Sequence, residues 1–125
     1  MHENEISGII IECAIKVHKV LGPGLLESVY QTALAYELRK KGLTVLIEYP
    51  IPAIYEEVKL ELGFRADLIV ENKVIVEIKS IENLAPIHGK VMLTYLRLAD
   101  KKLSLLINFN IELLKNGIKR VVNNL

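Results

Sequence analysis

The chain has 125 residues, 51% hydrophobic and 25% charged, with a formal net charge of +1 from 16 basic and 15 acidic side chains. That length suits one domain spanning 1–125, and the composition excludes a disordered chain. The charge balance excludes a strongly basic nucleic-acid wrapper but leaves room for a local basic patch. Lys90, Arg97, Lys101, Lys102, Lys115, Lys119 and Arg120 make the C-terminal third the candidate for one. Cys13 is the only cysteine, which excludes an internal disulfide and a CxxC metal site. No run of about 18 apolar residues exists, so no membrane span is expected. The opening MHENEISGII lacks a basic region and a small-residue cleavage site, so a cytoplasmic protein is the expectation.

No repeat, low-complexity segment or linker interrupts the chain. From Glu5 to Leu21, Ile6, Ile9, Ile10, Cys13, Val17 and Val20 recur at helical spacing. Leu21-Gly22-Pro23-Gly24 ends that helix. A second helix is predicted from about Leu25 to Lys41, with Leu26, Val29, Ala33 and Leu38 toward the core, and Gly42 stops it. Leu43 to Ile51 reads as a strand ended by Pro50 and Pro52. Val58 to Glu61 reads as a short strand. Phe64 to Val70 and Val74 to Ser80 read as strands joined at Glu71-Asn72-Lys73. Leu84, Ile87, Val91, Tyr95 and Leu98 give a third helix, Leu103 to Asn108 a strand, and Ile111 to Val122 a short helix or an edge strand. This order predicts an α/β (α+β) fold, a mixed β-sheet flanked by α-helices.

The two strands joined at Glu71-Asn72-Lys73 carry the chemistry. Alternation puts Arg65, Asp67 and Ile69 on one face of the first, and Ile75, Glu77 and Lys79 on one face of the second. A three-residue loop pairs Val70 with Val74, which brings Asp67 opposite Glu77 and Arg65 opposite Lys79. A two-residue loop would set Asp67 opposite the apolar Ile78, which burial opposes. The three-residue loop is therefore predicted, with Asn72 suited to left-handed backbone. Two close carboxylates disfavour each other's ionised form, and a cation removes that penalty. Oxygen-only ligands suit Mg²⁺ or Mn²⁺. An ordinary cross-strand ion-pair network of Arg65, Asp67, Glu77 and Lys79 fits the same spacing equally well.

The stretch GPGLLESVY, Gly22 to Tyr30, holds Gly24-x-x-Glu27-x-x-Tyr30. By itself Glu27 complements a helix dipole, and Tyr30 is a half-buried core tyrosine. With VHKVLGPGLLESVYQTAL, FRADLIVENKVIVEIKS and LTYLRLADKKLSLLINFN in order, the chain resembles the GxxExxY proteins, grouped with the PD-(D/E)XK nuclease superfamily. The resemblance covers nearly the whole chain, to Lys119 and Arg120. It implies a restriction-endonuclease-like fold in which Asp67, Glu77, the Ile78 carbonyl and Glu27 bind a divalent metal. It also implies that Lys79 positions an attacking water for phosphodiester hydrolysis. His18, Tyr30, Arg65, His88 and Tyr95 are candidate lining residues. One departure is clear: the family pattern HxAQxxxYL is HGKVMLTYL here, with Val91 in place of the usual Gln and with Gly89 and Lys90 beside it.

Three functions follow as expectations. The first is a Mg²⁺- or Mn²⁺-dependent nuclease acting on DNA or RNA, with a homodimer to serve the two strands of a duplex. The second is an inactive nuclease-fold module that binds nucleic acid or a partner protein. The third is a plain α/β protein whose ion pairs serve solubility.

Overall fold

The computed structural model describes the backbone of residues 1–125 and every side chain except those of Glu61 and Leu62. Helices α1 (Glu3–Leu21) and α2 (Glu27–Lys40) precede strands β1 (Val45–Tyr55), β2 (Val58–Val70) and β3 (Val74–Lys79). Helix α3 (Pro86–Ala99), strand β4 (Leu103–Asn108), a 3-10 turn (Leu114–Gly117) and strand β5 (Ile118–Val122) complete the chain. The five strands lie in chain order, β1-β2-β3-β4-β5. Every neighbouring pair is antiparallel except β3 and β4, which run parallel with α3 as their crossover. The sheet is therefore mixed, and helices cover both of its faces, as the sequence predicts.

Strand alternation builds two cores. Val70, Val74, Val76, Ile78, Leu105 and Ile107 pack under α1 and α2, with Ile10, Ala14, Tyr30 and Leu34. Ile69, Ile75 and Leu106 point the other way, against Met92 and Leu96 of α3. β4 is buried on both faces, as a central strand with a parallel neighbour should be.

The predicted loop between β2 and β3 is present. Val70 pairs with Val74 and Ile69 with Ile75, and the Lys73 N–H donates to the Val70 carbonyl at 3.0 Å. Glu71 (φ 53°) and Asn72 (φ 54°) both adopt left-handed backbone. Glu71 tolerates this because its carboxylate accepts from the Thr44 N–H at 2.8 Å, tying the loop to the entry of β1.

Several boundaries differ from the sequence reading. β1 does not stop at its prolines but runs through Pro50 and Pro52 to Tyr55. It is the outer strand of the sheet, where a missing N–H costs no ladder bond. The two short strands predicted at Val58 and Phe64 are one strand, because β1 continues alongside them. The C-terminal segment is both a helical turn and an edge strand. The buried stripe of α1 keeps the predicted Ile6, Ile10, Cys13 and Val17, while those of α2 and α3 are turned by about one position. Val20 and Leu26 are 75% exposed, and α2 buries the predicted Leu38 together with Tyr30, Leu34 and Ala35. On α3, Ile87 and Leu98 are exposed while Met92 and Leu96 are buried. Val20, Val29 and Ala33 line an apolar groove of about 690 Å³ between α1 and α2.

Tyr30 decides the setting of α2. Its ring stacks on Phe109 with centroids 4.4 Å apart and planes 8° from parallel. Its hydroxyl donates to the Gly22 carbonyl at 2.6 Å and accepts from the Leu25 N–H at 3.1 Å. The turn between α1 and α2 is thereby closed on the tyrosine, with Gly24 at φ 92°, a conformation that favours glycine. Tyr30→Phe leaves a carbonyl and an amide unmatched at this turn. It is expected to lower unfolding free energy by about 1–2 kcal/mol, read from the urea midpoint at unchanged slope.

Candidate functional site

β2 and β3 pair backbone to backbone only as far as Leu68 and Val76. At the next rung a side chain takes over: Asp67 Oδ2 accepts from the Ile78 N–H at 2.8 Å. On the far side of β2, Glu48 breaks the β1 ladder between Ile47 and Tyr49, with φ 49°. β2 therefore turns at Asp67. One consequence corrects the simple alternation predicted for this strand. Phe64 and Ala66 share a core with Ile69 and α3 instead of facing α1 and α2 with Leu68.

Glu77 stands beside Asp67, half-buried, and its Oε1 is fully buried with no hydrogen-bond partner. Burial pushes the Glu77 carboxyl up to about 8. The Asp67 charge adds to the effect, and the Lys79 ammonium opposes it. Lys79 follows two residues on, also half-buried. Tyr95 reaches the pair from α3. Its ring stacks on Phe64 at 3.8 Å between centroids, 4° from parallel. Its hydroxyl pKa is raised by burial first and then by the charges of Glu77 and Asp67. Asp67, Glu77, Lys79 and Tyr95 thus surround one spot at the end of β3.

The ion-pair network that fitted the sequence spacing is absent. Among the described residues the side-chain salt bridges are Lys16–Glu37, Lys40–Glu37 and Lys41–Glu12, all on α1, α2 and the residue after it. Neither Arg65 nor Lys79 pairs with a carboxylate among them. Arg65 does not face Lys79 either: it pairs with Pro50 of β1, and its guanidinium donates to the Glu48 carbonyl at 3.4 Å. The bend of β2 carries it away from β3.

The remaining candidates hold the frame. Glu27 is exposed at the start of α2, and its Oε2 accepts from the Ser80 N–H at 3.2 Å. It docks one residue beyond Lys79, and no three His, Cys, Asp or Glu side chains gather at metal distance among the described residues. The Ser80 hydroxyl donates to the Leu25 carbonyl at 2.7 Å, so the motif around Glu27 grips the end of β3 twice. Tyr30 is wholly buried and lines no part of the site. His18 is a satisfied core histidine, its Nε2 2.7 Å from the Ile111 carbonyl. His88 Nδ1 accepts from the Ala85 N–H at 2.8 Å and caps α3.

Asn108 is a positioning residue absent from the sequence-based candidates. It is buried opposite Lys79 in the β3–β4 register. Its side chain accepts from the Ile81 and Asn110 N–H groups and donates to the Ile81 carbonyl at 2.9 Å. A polar amide ending an otherwise apolar strand, LSLLIN, is the signal that points to it.

Asp67 and Glu77 put carboxylate oxygens side by side, one of them buried without a partner. That set fits a hard divalent cation, and two protein carboxylates suffice for Mg²⁺, which keeps much of its water. Without a cation the pair costs stability. The folded chain retains a proton on Glu77 that the unfolded chain releases from pH 4.5 upward. Metal-free stability should therefore fall as pH rises from about 4.5 to about 8. Glu77→Gln is expected to flatten that fall and to stabilise the metal-free protein above pH 8 by about 1–3 kcal/mol, measured by denaturation in chelator.

A family model described as the PD-(D/E)XK nuclease superfamily matches residues 4–121. No curated protein and no solved structure matches the chain. No helix among the described residues is long and apolar enough to cross a membrane.

Proposed function

The chain belongs to the PD-(D/E)XK nuclease superfamily, and from that premise we propose that it is a metal-dependent nuclease hydrolysing phosphodiester bonds in nucleic acid. Within the superfamily, Gly24, Glu27 and Tyr30 favour the GxxExxY group. The observation that carries the reading is the Glu77 carboxylate, with one buried and unpartnered oxygen beside a second carboxylate. An ion-pair role leaves that oxygen unexplained, and a cation does not.

Nucleases of this superfamily generally use divalent metals. Asp67, Glu77 and the Ile78 carbonyl would hold the ion here, Mg²⁺ or Mn²⁺ by the chemistry of the donors, with Glu27 the outer carboxylate nearest to them. Such an ion supplies Lewis acidity and a more acidic bound water. The chain does the rest. Asp67 keeps its carboxylate fixed through the Ile78 N–H. Lys79, with no carboxylate partner among the described salt bridges, orients the attacking water by hydrogen bonding and offsets negative charge developing on the phosphoryl oxygens. Tyr95 closes the site on the α3 side and limits water around the pair. On duplex substrate, two copies would serve the two strands.

A binding-only module is the second reading. It is favoured by Val91, a half-buried apolar residue one turn before Tyr95. Cleavage of single- and double-stranded DNA and RNA in Mg²⁺ or Mn²⁺ separates the two. Asp67→Asn, which keeps an acceptor for the Ile78 N–H, and Lys79→Ala should each lower kcat about 100-fold or more, with folding intact by circular dichroism. Metal-independent binding without cleavage by the parent chain would establish the module instead.

A further inference from the structure

We propose that Lys119 is a phosphate-binding residue of the substrate path, laid across α3 by the bare backbone of Gly89. This rests on the nuclease reading above. The strand registers pair Glu77 with Leu106 and Leu106 with Lys119, so the three lie in one row across β3, β4 and β5. Leu106 and Val121 pack toward α3, which puts Lys119 on the same face as the carboxylate pair. Arg120, next in sequence, turns to the opposite face and donates to Asn4 Oδ1. Two strand spacings separate Lys119 from Glu77, about 10 Å. A nucleic-acid strand advances about 3.4 Å along its axis per phosphate, so one seated on the carboxylates passes Lys119 within about three nucleotides.

Gly89 is what lets the lysine lie there. A Cβ at position 89 would meet Lys119 Cε and Nζ at 2.8 Å and Cδ at 3.4 Å. Glycine inside a helix is unfavourable by about 1 kcal/mol relative to alanine. The stem of Lys119 occupies the space that the missing side chain leaves, and Gly89 is buried beneath it. The ammonium finds no acid on the elements around it. Helix α3, strand β4 and strand β5 contain no Asp or Glu at all, and Lys90 adjoins Gly89. The described salt bridges all lie on the far side of the sheet. A lysine laid against the bare backbone of Gly89, outside the described salt bridges and in one row with Glu77, suits a phosphate.

The test is oligonucleotide binding by fluorescence anisotropy over a salt series, in an Asp67→Asn background that prevents cleavage. Lys119→Gln should weaken binding about three- to tenfold and reduce the slope of log K against log[salt] by about one. Lys119→Arg should keep the slope. Gly89→Ala, which displaces only the flexible end of Lys119, should weaken binding with little change in melting temperature. In the active chain, Lys119→Gln should raise KM and leave kcat in place. An unchanged slope and affinity in Lys119→Gln overturns the assignment while leaving the nuclease reading standing, as does an equal loss in Lys102→Gln. No binding by the parent overturns both.

Discussion

One hydrogen bond governs the site: the Ile78 N–H donating to the Asp67 carboxylate at 2.8 Å. It stands where the backbone ladder between β2 and β3 ends. A backbone carbonyl in the same place would continue the sheet and leave no side chain at the rung. The carboxylate satisfies the amide and lets β2 bend away, yet keeps a charged group pinned to β3. Glu77 then meets Asp67 at close range with part of its carboxyl out of water. Burial first, and the Asp67 charge second, raise the Glu77 pKa, and the bend of β2 takes Arg65 toward β1.

A fixed carboxylate is useful only if β3 itself is fixed, and distant segments of chain hold it. Ser80 is tied to Glu27 and to the Leu25 carbonyl, and Ile81 to Asn108. The GxxExxY segment is a brace in this structure: Gly24 permits the turn, Tyr30 closes it, and Glu27 ties it to the strand end. Tyr95 braces the opposite side through its stack on Phe64. These interactions hold two carboxyl groups together in a place that disfavours ionising both, an arrangement that lowers stability to preorganise a site.

The hairpin is legible in the sequence because strand parity is unforgiving. Moving the loop by one residue would bury Asp67 against Ile78, so the three-residue loop and the closeness of Asp67 to Glu77 follow from the residues. Helix stripes are more forgiving. α1, α2 and α3 each carry more apolar residues than one face needs, and the sheet chooses among them. Val20 and Leu26 read as core but lie open, and Tyr30, which reads as half-buried, is the most enclosed residue of its turn. The bend of β2 is not legible, since it depends on Glu48 adopting left-handed backbone across the ladder. Alternation alone therefore puts Arg65 in the site that it leaves. His18 and His88 satisfy the family pattern for reasons of packing and capping, which sequence does not separate from chemistry.

Helix α3 departs from the pattern HxAQxxxYL at Lys90 and Val91, and the structure gives Val91 and the nearby Gly89 opposite meanings. Val91 puts an apolar side chain where the family has an amide, one turn before Tyr95, and offers no polar group in its place. Gly89 lies further from the carboxylates, where its missing side chain admits Lys119 from β5. The absence of a polar group close to the reacting centre is set against an added charge a few nucleotides away. On the nuclease reading, the first would bear on the chemical step and the second on grip. An enzyme so altered would hold its substrate by the backbone at some distance from the bond it cuts. Its chemistry would then fall to the smallest set that the fold still brings together: Asp67, Glu77 and Lys79.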